Sequence, residues 1–381
     1  MDLACYTRTK NECPCDWVCT ESCQYMHDRS TEVLPVNALD FEHSSSIERA
    51  ATLLRNGELV VFPTETVYGL GADALQPDAV EQIFVAKERP FSDPLIVHIA
   101  SLKTLETLVT DIPSLAFQLA EAFWPGPLTV ILPAKARVPK MVTAGLDTVA
   151  VRMPRHPVAL ALIKAVGSPI AAPSANRFMH ISPTTAQHAL ADLGGRVPLI
   201  LDAGPCEVGV ESTVLDLCAE IPTILRPGGV SLETLRRVVP QVQPLSLRTS
   251  RTHDEVAQKA PGQLHIHYSP AVPTFLYEGS LEAMHKAMLA EVQRRQQLGE
   301  QTGILIANED LPTFQNSGAF VYSPGNAHVP EQIAARLFAG LRTLEEAGVQ
   351  VILCRSFGEQ GLGMAIRDRL LKAAGGKVIH V

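Results

Sequence analysis

The chain has 381 residues, of which 46% are hydrophobic and 19% charged, and it carries a formal net charge of −8. That length and apolar content predict two or three packed domains and exclude disorder as the default state. The acidic balance excludes a protein whose main task is gripping a nucleic-acid backbone, which needs a basic stripe, but it allows a local phosphate site.

Residues 1 to 40 show no clear period and read as an extension. Cys5, Cys13, Cys15, Cys19 and Cys23 crowd its start. Their spacing allows a zinc or iron–sulfur site but departs from paired Cys-x-x-Cys. The competing reading is an appended leader, with Met26 as the working start. No stretch is long and apolar enough for a membrane span, and the start lacks the order of a signal peptide. The expectation is a cytoplasmic protein with reduced thiols and no membrane contact.

The first predicted helix is Ser46–Asn56, with Ile47, Ala50, Ala51 and Leu54 on one face, Ser46 as cap and Gly57 as stop. A buried strand, Glu58–Phe62, follows. Pro63 to Gly71 then reads as a polar, glycine-rich loop at a strand end, where α/β folds place ligands. A helix is predicted over Asp78–Lys87, stopped by Pro90. Strands follow at Leu95–Ile99, Leu128–Leu132, Thr148–Met153, Ile170–Ala172, Leu199–Leu201, Ser212–Leu217 and Thr223–Leu225, with helices at Pro157–Ala165 and Thr184–Leu193. This mixture predicts an α/β fold with a twisted, mixed sheet. Val239–Pro261 reads as a linker. Beyond Val272, helices at Leu281–Leu298, Pro330–Ala347 and Met364–Ala374 alternate with strands at Gly303–Ala307, Val349–Cys354 and Lys377–Val381. That alternation predicts a small open parallel sheet.

Several segments carry chemistry-bearing side chains. Gly69-Leu-Gly71-Ala-Asp-Ala74 fits a dinucleotide fingerprint, but no strand runs into its glycines and no acidic partner is well spaced, so tight backbone turns are expected. No P-loop motif is present. Lys87 and Arg89 end a helix, where they either complement its dipole or clamp a polyphosphate. On the predicted strand Thr148–Met153, Thr148, Ala150 and Arg152 share a face. An inward arginine there requires an anion, supplied by a structural carboxylate or by a ligand. Ala172-Pro-Ser174-Ala-Asn176 follows a short strand. Ser182-Pro-Thr184-Thr185 opens a helix, which suits either ordinary capping or phosphate. His265 and His267 hint at a metal but lack a nearby third ligand, so the segment reads as a docking linker.

Together, Pro63-Thr-Glu-Thr-Val-Tyr-Gly-Leu-Gly71, Lys87-x-Arg89-Pro, Phe123-Trp-Pro-Gly-Pro-Leu-Thr129, Ala150-Val-Arg-Met-Pro154, Pro173-Ser-Ala-Asn176, Glu211-Ser-Thr213, Leu225-Arg-Pro-Gly228 and His267-Tyr-Ser-Pro270 resemble the threonylcarbamoyl-AMP synthases of the Sua5/YrdC/TsaC type. Gly361 to Leu370 is similar to the second domain of the long, Sua5-like branch. The resemblance covers residue 46 to the end. Asp93 and Asp368 stand where the family often has Asn.

The resemblance implies a YrdC-like catalytic domain over residues 41–235, a linker or lid over 236–272 and a Rossmann-like Sua5 domain over 273–381. It implies that L-threonine, bicarbonate or CO2, and ATP are joined to threonylcarbamoyl-AMP and pyrophosphate. The product serves N6-threonylcarbamoyladenosine formation at position 37 of transfer RNAs reading codons that begin with A. By matched positions, Thr66, His98, Arg152 and Ser212 hold threonine. Arg89, Asp93, Thr148, Ala172, Ser174, Ser182, Arg226 and Tyr268 surround ATP, and Lys87, Arg89, Ser174 and Asn176 form the catalytic set. Magnesium rides on the phosphates, with no protein metal site. The implied partner is the tRNA threonylcarbamoyl transferase complex that takes the product, with at most transient RNA contact. Hydrogenase-maturation carbamoyltransferases share such a first domain but need further domains for which this chain is too short.

Overall fold

The computed structural model describes residues 30–37, 44–244, 258–262 and 267–381. The cysteine-rich start, Met26, His265 and most of the expected linker lie outside the described residues. Within them, no helix is long and apolar enough to cross a membrane.

Among the described residues, the first unit is one mixed sheet of eleven strands. They are β1 (Glu32–Pro35), β2 (Val60–Phe62), β3 (Gly69–Asp73), β4 (Ile96–His98), β5 (Leu128–Pro133), β6 (Thr148–Arg152), β7 (Ile170–Ala171), β8 (Leu199–Asp202), β9 (Thr213–Asp216), β10 (Thr223–Arg226) and β11 (Gln243–Pro244). Their spatial order is β1-β8-β2-β3-β7-β4-β6-β5-β9-β10-β11. Helices α1 (Ser45–Arg55), α2 (Pro77–Lys87), α3 (Leu102–Leu108), α4 (Ser114–Phe123), α5 (Pro157–Val166), α6 (Ala186–Leu193) and α7 (Leu232–Val238) accompany it.

The helical period decides which face α1 buries. Ile47, Ala50, Ala51 and Leu54 are buried, as their spacing predicts, and they pack against α5 and the outer strands. The cap differs from expectation: Ser44, not Ser46, precedes the first turn. Gly57 supplies the left-handed exit at φ +81°. Helix α2 ends with Glu88 at φ 57°, and Lys87 is buried in its last turn.

Several segments depart from the sequence reading. Residues 32–35, expected within an extension, form β1 and pair in parallel with β8. Gly69 to Asp73, expected as turns, form a strand between β2 and β7. The glycines are needed there for close packing rather than for turning. A Cβ on Gly71 would lie 2.8 Å from the Phe62 ring and 3.0 Å from Ile170. Helices α3, α4 and α7 were not read from the sequence; they are short and lie among prolines and polar residues that blur the period.

The second unit holds five strands: β12 (Thr274–Glu278), β13 (Thr302–Leu305), β14 (Phe320–Tyr322), β15 (Val351–Arg355) and β16 (Val378–His380). All pair in parallel, in the order β14-β13-β15-β12-β16. Parallel strands need crossovers, which α8 (Leu281–Gln297), α9 (Leu311–Phe314), α10 (Pro330–Glu346) and α11 (Gly363–Ala373) help provide. Apolar clusters therefore form on both faces of the sheet.

The two units share a packed boundary. Val67, Ile181, Val210 and Tyr268 join Leu337, Phe338 and Leu341 of α10 in one apolar cluster. Arg342 pairs with Asp192 at 2.7 Å. A Cβ on Gly209 would sit 2.4 Å from the Cα of Ala335, so only glycine allows this approach.

Candidate functional site

The site grows from the carboxyl ends of two neighbouring parallel strands. In the β4–β6 ladder His98 is the register partner of Arg152, so the two side chains stand beside each other. Both are buried. All three guanidinium nitrogens of Arg152 are engaged. Nε donates to Gly126 O at 3.2 Å, Nη1 to Thr66 Oγ1 at 2.9 Å, and Nη2 lies 2.7 Å from Glu65 Oε1. Burial pushes the Glu65 carboxyl up, but Arg152 outweighs it and holds the net pKa below the usual value. Burial, reinforced by Arg152, lowers His98 to about 3, so the ring is neutral near pH 7, and its Nδ1 has no hydrogen-bond partner.

A second group of cations lies in the same region. Arg226, at the end of β10, donates to Ser212 O at 3.0 Å, to Ser212 Oγ at 3.2 Å and to Pro261 O at 3.1 Å. Arg89 pairs with Asp93 at 3.0 Å and donates to Pro94 O at 2.8 Å. Asp93 is raised above the usual carboxylate range by burial, which Arg89 and Lys87 oppose. The Lys87 ammonium donates to Ser174 O at 2.6 Å and also to Asn176 O. Burial, with Arg89 nearby, pushes Lys87 well below its ordinary value.

These groups enclose one cavity. Among the expected residues, Thr66, Arg89, His98, Arg152, Ala172, Ser174, Ser212, Arg226 and Tyr268 line it. Lys87, Asp93, Asn176 and Ser182 stand behind the wall. Lys87 and Asn176 brace the loop that carries Ser174, with Asn176 Nδ2 donating to His180 O at 2.7 Å. Ser182 donates to Glu211 at 2.6 Å. Thr148 shares the face of Arg152 but sits at the other end of β6, about 13 Å away at strand rise. It is outside the cavity wall.

Other wall residues carry no ligand-binding role in the sequence reading: Thr64, Pro261 and Gly262, together with Glu211 and His267, which it names only within motifs or as a hint of a metal. Glu65 is equally unforeseen as the partner of Arg152. Its signal was its place between Thr64 and Thr66, but a distant ion pair is not encoded in spacing. Tyr268 covers the cavity with φ +59°, and its hydroxyl is buried without a hydrogen-bond partner among the described residues. Gly262 makes room for it, since a Cβ there would come 2.7 Å from that hydroxyl.

Comparison with known proteins follows the same division into two units. Residues 52–228 match a family model described as telomere recombination, and residues 230–375 match the threonylcarbamoyl-AMP synthase C-terminal domain. The threonylcarbamoyl-AMP synthase of Bacillus subtilis is 46% identical over 88% of this chain and 94% of its own. That of Pyrococcus abyssi is 43% identical over 88% and 96%. A solved structure of P. abyssi Sua5 complexed with L-threonine has a TM-score of 0.84 at 41% identity, covering 92% of this chain and 99% of that one. A doubly substituted variant of the same Sua5 gives a TM-score of 0.85 at 40% identity over 92% and 98%.

Fold, site and relatives define a nucleotidyltransferase-type enzyme, built from a YrdC-like sheet and an appended Sua5 domain. The chain belongs to the threonylcarbamoyl-AMP synthase family.

Proposed function

We propose that this cavity joins L-threonine, bicarbonate and ATP into threonylcarbamoyl-AMP and pyrophosphate. Bicarbonate takes up a proton and loses water to give carbon dioxide, to which the threonine amine adds, forming a carbamate and releasing a proton. A carbamate oxygen then bonds to the α-phosphorus, and the bond to pyrophosphate breaks. The nucleophile is already anionic, so the work is positioning and charge neutralisation rather than general-base catalysis.

One observation carries the reading. The wall sets Arg152, neutral His98, Thr66 and Ser212 beside the cations Arg89 and Arg226 in a single cavity. Arg152 is the partner for the threonine carboxylate, since its planar fork suits a carboxylate. Thr66, His98 and Ser212 recognise the rest of the amino acid. Arg89 and Arg226 face the phosphates with Ser174, while Lys87 and Asn176 hold the Ser174 loop in place. Ala172 and Tyr268 bound the nucleotide. Asp93 and Ser182 act through Arg89 and Glu211. Thr148 reaches ATP only if the nucleotide extends along the face of β6.

Magnesium fits this arrangement on the phosphates. The nearby carboxylates Glu65, Asp93 and Glu211 are each paired with an arginine, leaving none dedicated to a cation. When bound, magnesium supplies charge neutralisation of the polyphosphate. The product passes to the tRNA threonylcarbamoyl transferase complex, in a cytoplasmic setting.

The P. abyssi Sua5 complex with L-threonine supports threonine as substrate. The test is pyrophosphate release from ATP with magnesium and bicarbonate, with and without L-threonine. Threonine-dependent release with a threonylcarbamoyl adenylate in the mass spectrum supports the reading. Release indifferent to threonine overturns it.

A further inference from the structure

Arg369 heads the fully buried side chains by volume, and it comes from α11 of the second unit. Its Nε donates to Glu211 Oε2 at 2.7 Å, and its guanidinium also pairs with Asp368. Its guanidinium carbon lies 5.0 Å from the centre of the Tyr268 ring. Glu211 and Tyr268 line the cavity; Arg369 stands behind both.

Each contact answers a physical need. Tyr268 adopts φ +59°, a conformation bulky side chains disfavour, and its hydroxyl makes no hydrogen bond among the described residues. Contacts of the ring must therefore hold it. Those across the domain boundary are Phe338, 5.4 Å between ring centres, and the Arg369 cation. Glu211 is a buried carboxylate facing a cavity read as a polyphosphate site. Unpaired, it would repel that ligand. The Ser269 backbone N–H donates to Met179 O at 2.8 Å and its hydroxyl to Ala373 O at 3.0 Å, fixing the tyrosine's neighbour to both units.

We propose that Arg369 is a positioning residue for the nucleotide: it seats Tyr268 over the cavity and neutralises Glu211, so that docking of the second unit and closure of the nucleotide site are one event. This rests on the cavity being the ATP site and deepens that reading.

The test uses the full chain with Arg369→Lys, Arg369→Gln, Tyr268→Ala and the pair Arg369→Lys/Tyr268→Ala. Equilibrium ATP affinity, KM and kcat for threonine-dependent pyrophosphate release, and melting temperature are measured on each. Arg369→Lys keeps the charge but loses the flat face. It is expected to weaken ATP binding and raise KM about tenfold, with kcat within about twofold. In the Tyr268→Ala background the same change should cost less than about twofold. Unchanged ATP affinity in Arg369→Lys overturns the proposal, as does a full tenfold loss without Tyr268, which marks a merely structural role. If Arg369→Gln does not fold, the lysine variant decides alone. Wild-type protein that binds ATP but releases no threonine-dependent pyrophosphate refutes the reaction, not the clamp.

Discussion

Removing Arg152 alone has two consequences, and the structure separates them. The side chain is 4% exposed and lies 2.7 Å from Glu65, itself 2% exposed. Arg152→Ala therefore removes the proposed threonine anchor and also strands a buried carboxylate. Breaking a buried pair from one side costs about 3–5 kcal/mol of stability. Removing both charges with Arg152→Gln/Glu65→Gln avoids the stranded charge and should restore most of that stability. Both variants lose the charge-assisted bond to the amino-acid carboxylate, worth about 3 kcal/mol or a little over a hundredfold in affinity. Calorimetric titration with L-threonine should thus show a similar, hundredfold or greater weakening in both. Thermal unfolding should place the double variant well above Arg152→Ala. ATP binding should survive in the double variant. Threonine affinity within about threefold of wild type in the double variant would refute the assignment of Arg152. Equal melting temperatures for the two variants would refute the buried pair as an energetic unit.

Asp93→Asn removes the partner of Arg89 and lowers stability by about 2–3 kcal/mol, yet it also removes a negative charge near the proposed phosphate site. ATP should bind as tightly or tighter, measured by titration beside a melting curve; weaker binding would place Arg89 elsewhere. Gly228→Ala would put a Cβ 2.3 Å from Glu211 O and 2.4 Å from Thr213 N, both backbone atoms. It should cost about 3 kcal/mol or more by overpacking and disturb Ser212, giving lower melting temperature and activity; wild-type values for both would refute the packing. For His98, whose folded pKa is lowered to about 3 from 6.5, the unfolded state binds the extra proton as pH falls. Its contribution is therefore complete above pH 6.5 and lost progressively down to about 3, with a slope up to about 1.4 kcal/mol per pH unit. Denaturant midpoints between pH 7 and 4.5 should flatten in His98→Asn; an unchanged slope would show that His98 does not control it.

How much was legible in the sequence depends on whether the signal was local. The α1 face and the β6 face were readable because periods of 3.6 and 2 act over a few residues. Arg152 and Thr148 do share a face, as the period required. What periodicity cannot say is which end of the strand meets the cavity, and there the two residues part. β1 was invisible because four residues at a sheet edge carry too little period, and its parallel pairing with β8 is a distant event. Gly69-Leu-Gly71 was read as turn because glycine usually marks one. Its cause is instead the Phe62 ring across the ladder, which no local window contains.

The site divides in the same way. Motif order located most of the wall, but sequence is silent on how buried charges pair. Glu65 with Arg152, Asp93 with Arg89 and Glu211 with Arg369 each join a carboxylate to an arginine. Only Asp93 and Arg89 are near neighbours in the chain. The pairing balances the charges of Arg89 and Arg152 along the wall and of Arg369 behind it. Arg226 is held instead by the carbonyls of Ser212 and Pro261. In the proposed reading, ligand carboxylate and phosphates add to, or compete with, these partners. Threonine, on that reading, shares Arg152 with Glu65, which would lower its affinity and favour its release. On the same reading, the polyphosphate meets arginines that are already buried, so more of its attraction would reach the bound state.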